Sequence, residues 1–221
     1  MATKLKVMLF ALAFIGLIGG TLVVTSGEAK AESAQYQAEN MFEFGFPDAL
    51  VAGAATLTRT PKASLFRRRV RQPGSIAFQI YTSELRRGAH TVWIVIFNNP
   101  ENCAAGPGAC AIGDLNTPEV EGSVVYGTGY IVGRDGIANF HGSLKEGSPP
   151  DGIEVNVPLG TVNGLKDSMK ADIHLVVREH EAVDDTGGAV AQLTTFQPAC
   201  GGACNVQAVV FDAVAPDGAD Q

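Results

Sequence analysis

The stretch from 90 to 97, His-Thr-Val-Trp-Ile-Val-Ile-Phe, is apolar on both faces of an extended chain and carries the only tryptophan of the protein. β-branched and aromatic residues favour strands, and a strand that is apolar on both faces is typical of a buried, central position. Asn98-Asn99-Pro100 ends the strand, because proline cannot donate to the ladder and restricts the residue before it. The sequence therefore predicts a central strand with Trp93 in the core.

The composition of the whole chain favours more strands of this kind. Of 221 residues, 46% are apolar and 18% charged, and the 26 glycines and 11 prolines suit strands joined by tight turns better than long helices. Eight strands are predicted, at 53–60, 74–82, 90–97, 123–133, 137–145, 171–179, 190–197 and 205–212. This pattern predicts an all-β fold, a single antiparallel β-sandwich.

The N-terminus has the pattern of a secretory signal. Lys4 and Lys6 precede an apolar run over 7–24, and Ala29-Lys30-Ala31 fits the small-x-small rule of a signal peptidase site. We expect cleavage near Ala31, which leaves no transmembrane segment and places the protein outside the cell or in the periplasm or cell envelope. The alternative is an uncleaved anchor, since about 18 apolar residues just span a bilayer.

The remaining chain is interpreted as one folded unit. Residues 1–31 are assigned to the signal peptide, 32–52 to a loosely held N-terminal arm and 53–221 to the sandwich. In the arm, phenylalanines recur at every second position from 42 to 46, which indicates an extended segment with one apolar face.

Charge limits the possible partners. Removing residues 1–31 takes three basic residues and one acidic residue from totals of 16 and 23, which leaves a net charge of −9. Nucleic acid is therefore not an expected partner. A local basic cluster lies within 13 positions and consists of Arg59, Lys62, Arg67, Arg68, Arg69 and Arg71, the last four of which are the candidate patch. This cluster is either a patch for an anionic polymer or surface, or an exposed connection that offsets the acidic half of the molecule.

All four cysteines lie in the exported part, which favours disulfides. Cys103 and Cys110 flank one flexible turn, and Cys200 and Cys204 flank another, so local pairing is the first choice. Pairing between the two turns is the competing arrangement. A zinc site is the third, but neither spacing matches the Cys-x-x-Cys pattern.

The dipeptide Asp135-Gly136 predicts a two-residue type I′ hairpin. That register would place Ile131 opposite Phe140 in the core, and Tyr130 opposite His141 on the solvent face.

Histidines give the other candidates for a metal site, and none is favoured. In the strand 171–179, alternation places Asp172 and His174 on one face. His180 lies about 20 Å from His174 along an extended chain, so the two cannot share an ion. A site would need His141 or His90 brought in by the fold. No cofactor is expected otherwise.

The block 90–211 resembles a family of secreted microbial β-domain proteins of uncharacterised activity. The resemblance rests on the strand 90–97 with its Asn-Asn-Pro-Glu-Asn-Cys continuation, on Gly-Thr-Gly-Tyr-Ile-Val-Gly-Arg-Asp-Gly from 127 and on Ala-Asp-Ile-His-Leu-Val-Val-Arg from 171. It implies export and a compact β domain. Asp135-Gly136 before Asn139-Phe140, with Ile173-His174, is also similar to the chordin-like secreted domain.

Two functions follow from these observations. The chain lacks the Gly-x-Ser-x-Gly, His-Glu-x-x-His, Walker and Rossmann patterns. The first hypothesis is an exported, non-enzymatic β-sandwich protein that acts as a binding module or as a structural component of the envelope or matrix. The alternative is a metal-dependent or hydrolytic enzyme that uses His174, Asp172 and His141, with its other catalytic residues and its partners unknown.

Overall fold

A computed structural model describes residues 33–38, 41–43, 46–65, 70–148, 163–196 and 204–213, and all structural statements concern this part of the chain. The strands are β1 Ala34–Ala38, β2 Met41–Glu43, β3 Phe46–Val51, β4 Gly53–Thr60, β5 Ala63–Leu65, β6 Val70–Gln72, β7 Ser75–Thr82, β8 Gly88–Phe97, β9 Gly122–Val132, β10 Ala138–Lys145, β11 Asp172–Glu179 and β12 Asn205–Phe211. The helix α1 is Ala189–Thr194, and short 3-10 turns occupy Pro100–Asn102, Ile112–Asn116 and Pro118–Val120.

The strands form two antiparallel sheets, which confirms the all-β sandwich. One sheet has four strands in the order β1-β4-β7-β10, and the other has six in the order β3-β2-β12-β11-β8-β9. A small hairpin of β5 and β6 stands apart from both. Seven of the eight predicted strands are present close to their predicted bounds.

The main core lies between the two sheets and follows from the alternation of side chains along each strand. In β7 every second residue from Ile76 to Thr82 is buried, while those between them face solvent or are partly covered. The core side chains from the four-stranded sheet include Leu57, Ile76, Phe78, Ile80 and Phe140. Those from the six-stranded sheet include Ile94, Ile96, Ile173, Leu175, Val177 and Val209.

Strand β8 is buried at every position, as its sequence predicts. It lies between β11 and β9, and its inward side chains enter the main core. Its outward side chains, Trp93, Val95 and Phe97, enter a second apolar cluster with Leu115 and Val120. The connection between β8 and β9 therefore covers the outer face of the six-stranded sheet.

The strands β1, β2 and β3 belong to the two sheets, so the described part of the predicted N-terminal arm is not loosely held. β1 pairs with β4 along its whole length, and β2 joins β12 to β3. Met41 is fully buried in the main core. The extended conformation expected for this segment is present, and sheet partners supply its hydrogen bonds.

The predicted hairpin at Asp135-Gly136 is wrong. β9 pairs with β8 and β10 pairs with β7, so residues 133–137 carry the chain from one sheet to the other. Gly136 alone of the two central residues has a positive φ, of 69°, whereas a type I′ turn needs two. Phe140 is buried as expected, but Ile131 is 51% exposed.

The strand predicted at 190–197 is also wrong, because α1 occupies this region. The Gln192 side chain donates to the carbonyls of His180 and Ala182, at 2.9 and 2.8 Å, and accepts from the Asp184 amide. These contacts satisfy backbone groups of the segment that leads into α1.

Candidate functional site

The structure does not bring the predicted metal residues together. Ile173 and Leu175 face the main core, so Asp172 and His174 lie on the outer face of the six-stranded sheet. His141 neighbours the buried Phe140 in β10 and is exposed on the outer face of the four-stranded sheet. Because packed sheets are about 10 Å apart, the thickness of the sandwich separates His141 from the other two residues.

Asp172 has a structural role at the start of β11. Its Oδ2 accepts a hydrogen bond of 2.8 Å from the Gly108 amide, and its Oδ1 accepts from the Ala213 amide. The carboxylate thus joins three segments that are distant in sequence. Both oxygens have donors, as a fully buried carboxylate requires.

His174 is an apolar packing element in this structure. Its ring lies 4.9 Å, centroid to centroid, from that of Phe97, and its Nε2 is buried without a hydrogen-bond partner. Burial lowers the pKa of His174 to about 4, although the charge of Asp172 acts in the opposite direction. The imidazole is therefore neutral at physiological pH.

Arg59 makes more side-chain hydrogen bonds than any other charged group of the described residues. Sequence analysis counted it in the basic cluster, but its burial excludes it from an exposed patch. It is fully buried, and its guanidinium donates to the carbonyls of Ser168, Ala171, Phe211 and Asp212 at 2.7 to 3.1 Å. Desolvation lowers its pKa, while Tyr36 and nearby carboxylates, Asp172 foremost, raise it. The alternation of side chains along β4 could have predicted this burial, because Arg59 shares the inward face of the strand with Ala55 and Leu57.

A second polar cluster lies near the start of β8. Trp93 Nε1 donates to Thr91 Oγ1 at 2.9 Å, and that hydroxyl lies 2.8 Å from His180 Nε2. His90, on the inward face, is fully buried and its Nε2 has no partner. The pKa of His90 is lowered to about 4, mainly by burial and to a smaller extent by the charge of His180, while the hydrogen bond to the Gly88 carbonyl acts in the opposite direction.

Aromatic side chains dominate the outer face above this cluster. Trp93 makes edge contacts with Tyr126 and Phe196, at centroid separations of 5.8 and 5.1 Å. The Arg178 guanidinium carbon lies 3.9 Å from the centroid of the Phe196 ring, a cation–π contact. Arg178 Nη1 also donates to Asn205 Oδ1 at 3.0 Å. Trp93 is a core residue, as predicted, and Phe196 shields it.

The first predicted disulfide is present, between Cys103 and Cys110. We call residues 103–110 the disulfide loop. Cys204 is also disulfide-bonded, while Cys200, its predicted partner, lies outside the described residues. Of the candidate basic patch, Arg67, Arg68 and Arg69 also lie outside the described residues, and Arg71 is described only as backbone of β6.

Neither a metal centre nor a membrane helix is seen in the part of the chain that the structure describes. No three His, Cys, Asp or Glu side chains within it could hold one ion. Among the same residues, no helix has the length and apolarity needed to cross a bilayer.

Comparisons with family models, with curated proteins and with solved structures give no match for this chain. The arrangement of its own residues is therefore the basis for assigning a function.

Proposed function

We propose that this chain is an exported, non-enzymatic β-sandwich protein that acts as a binding module of the cell envelope or extracellular matrix. The observation that carries the proposal is that its buried charged and polar side chains make structural hydrogen bonds. Asp172, Arg59 and His180, which a catalytic site could recruit, each bond to groups that hold distant segments together. The aromatic cluster on the outer face offers binding chemistry instead.

Export is supported by two features. The disulfide loop is compatible with an oxidising compartment outside the cytoplasm. The N-terminal lysines, apolar run and Ala29-Lys30-Ala31 supply the pattern of a cleavable signal.

The enzymatic alternative is less well supported, because the positions of its residues differ from what it requires. Ligands of one zinc ion lie about 2 Å from the metal, and His141 is on the opposite side of the sandwich from Asp172 and His174. A structural role in the envelope or matrix is the other form of the same non-enzymatic function.

The test is expression of the full chain in an exporting host. We expect intact mass to place the mature N-terminus near Glu32, elemental analysis to find no stoichiometric metal, and the mature protein to sediment with envelope fragments of the producing organism. Stoichiometric metal that a His141→Ala variant loses would overturn the proposal and restore the enzymatic alternative. Protein that stays in the cytoplasm with residues 1–24 attached would overturn export.

A further inference from the structure

The segment that follows β11 crosses the outer face of the six-stranded sheet. We call residues 181–196 the strap, and Trp93, Tyr126 and Arg178 beneath it the trough. Tyr126 Oη donates to the Leu193 carbonyl at 2.7 Å, and Arg178 Nε donates to the Phe196 carbonyl at 3.1 Å. The trough therefore binds both the side chain of Phe196 and the backbone of the strap.

The contacts of Phe196 define what the trough recognises. Its ring stands at 76° to the Trp93 ring, and the Arg178 guanidinium lies over its face. Edge-to-face aromatic pairs and cation–π contacts each stabilise an association beyond the burial of apolar area. Together with the two carbonyl contacts, this is recognition of a peptide segment with an aromatic side chain.

The strap buries fewer side chains than the strands of the sheets do. Gln192 is its only buried residue, and Val190 is 71% exposed. The helix α1 has six residues and no side-chain cap, and helices this short are unstable in water without tertiary support. Segments with few buried apolar contacts open at low free-energy cost.

Close backbone contact also ties the strap to β9. A Cβ added at Gly129 would lie 2.3 Å from the Leu193 carbonyl oxygen, so any larger residue there must displace the strap. Gly129 therefore makes room for the strap and is not part of the trough.

We propose that the strap is an autoinhibitory segment, and that the trough binds an extended peptide carrying an aromatic side chain when Phe196 leaves it. This inference rests on the proposed function, since it names the ligand class of the binding module. Phe196 serves as a ligand in cis, and an external peptide competes with it for the same contacts.

The experiment uses the full chain after export and measures binding of a short probe. The probe is acetyl-Thr-Thr-Phe-Gln-amide, which copies the sequence around Phe196, and the control peptide has alanine for phenylalanine. Fluorescence of the single tryptophan, Trp93, and its quenching by acrylamide report on the trough directly. Calorimetry gives the affinity.

We expect Gly129→Ala and Phe196→Ala to bind the phenylalanine probe at least about tenfold more tightly than the parent chain, equivalent to about 1.4 kcal/mol. Gly113→Ala is the matched control, since a Cβ at Gly113 meets nothing within 4 Å, and it should behave as the parent. Trp93 should be more accessible to acrylamide in Gly129→Ala. Two different variants are used so that misfolding of one leaves the other to decide.

Several results would overturn the inference. The first is that the variants with the circular dichroism spectrum of the parent chain bind the phenylalanine peptide and the alanine peptide equally well. Binding of cellohexaose in place of the peptide would assign the trough to carbohydrate. If the protein sediments with envelope fragments but no variant binds the phenylalanine peptide more tightly than the parent chain does, the autoinhibitory strap is wrong and the proposed function is unaffected.

Discussion

Replacing Arg59 with methionine tests how the two sheets are held at one end. Methionine has a similar length and no charge or donors, so the substitution removes four hydrogen bonds to carbonyls. Hydrogen bonds to charged groups contribute about 1.5–3 kcal/mol each, which gives a gross loss of about 6–12 kcal/mol. Recovery of the several kcal/mol spent on desolvating the guanidinium offsets part of it. We expect a net loss of about 3–5 kcal/mol in the free energy of unfolding.

The assay is urea unfolding followed by the fluorescence of Trp93, with thermal unfolding beside it. A loss of this size lowers the Tm of a domain of about 190 residues by roughly 6–20 °C. Arg59→Lys is the matched control. Lysine keeps the charge but lacks the planar fork, so it should restore about half of the lost stability.

A second readout separates the role of the charge from packing. Burial and the charge of Asp172 raise the pKa of Asp212 above its usual value, and the charge of Arg59 acts in the opposite direction. In Arg59→Met the pKa of Asp212 should therefore rise further, as measured by NMR titration. A methionine variant within 1 kcal/mol of the parent, with the pKa of Asp212 unchanged, would refute the bridging role of Arg59.

Three other outcomes follow from the described structure. Phe140→Ala should lower the free energy of unfolding by about 3–5 kcal/mol, because the residue is 1% exposed in the core. His141→Ala should change the free energy of unfolding by no more than about 0.5 kcal/mol. Comparable losses for the two variants in urea titrations would contradict this prediction. His90 and His174 have pKa values of about 4 in the folded chain and are neutral there at pH 7. In the unfolded chain the same histidines bind protons below about pH 6.5. The free energy of unfolding should therefore be independent of these two groups above that pH. As the pH falls from 6.5 to 4, each histidine should lower the free energy of unfolding by about 1.4 kcal/mol per pH unit. Equal urea midpoints at pH 7 and pH 5 would contradict this prediction. Reducing the disulfide loop should cost about 2–3 kcal/mol by the loop-entropy relation, and an unchanged Tm in reductant that demonstrably opens the bond would argue against it.

The short-range features of the fold could be predicted from the sequence. Alternating apolar residues identify β7, and the uninterrupted apolar run identifies β8 as central. The spacing of Cys103 and Cys110 around a flexible turn gives a correct disulfide. These features depend on neighbours along the chain, which the sequence records directly.

Gly127 and Gly129 lie inside β9, where residues without a side chain let a neighbouring segment approach closely. A Cβ at Gly127 would lie 2.9 Å from the Val92 carbonyl oxygen, and one at Gly129 would meet the strap. The glycine pattern indicates close approach, although it does not identify what approaches.

Tertiary structure alone decided the pairing of strands and the use of polar groups. The sequence around Asp135-Gly136 is compatible with a hairpin, yet β9 and β10 find their partners in β8 and β7, far along the chain. Arg59 was visible as an inward residue of β4, but its four acceptors come from segments more than 100 residues away. Periodicity specifies which face of a strand is buried, whereas long-range packing specifies what that face meets. The separation of His141 from Asp172 and His174, on which the assignment of function depends, belongs to the second category.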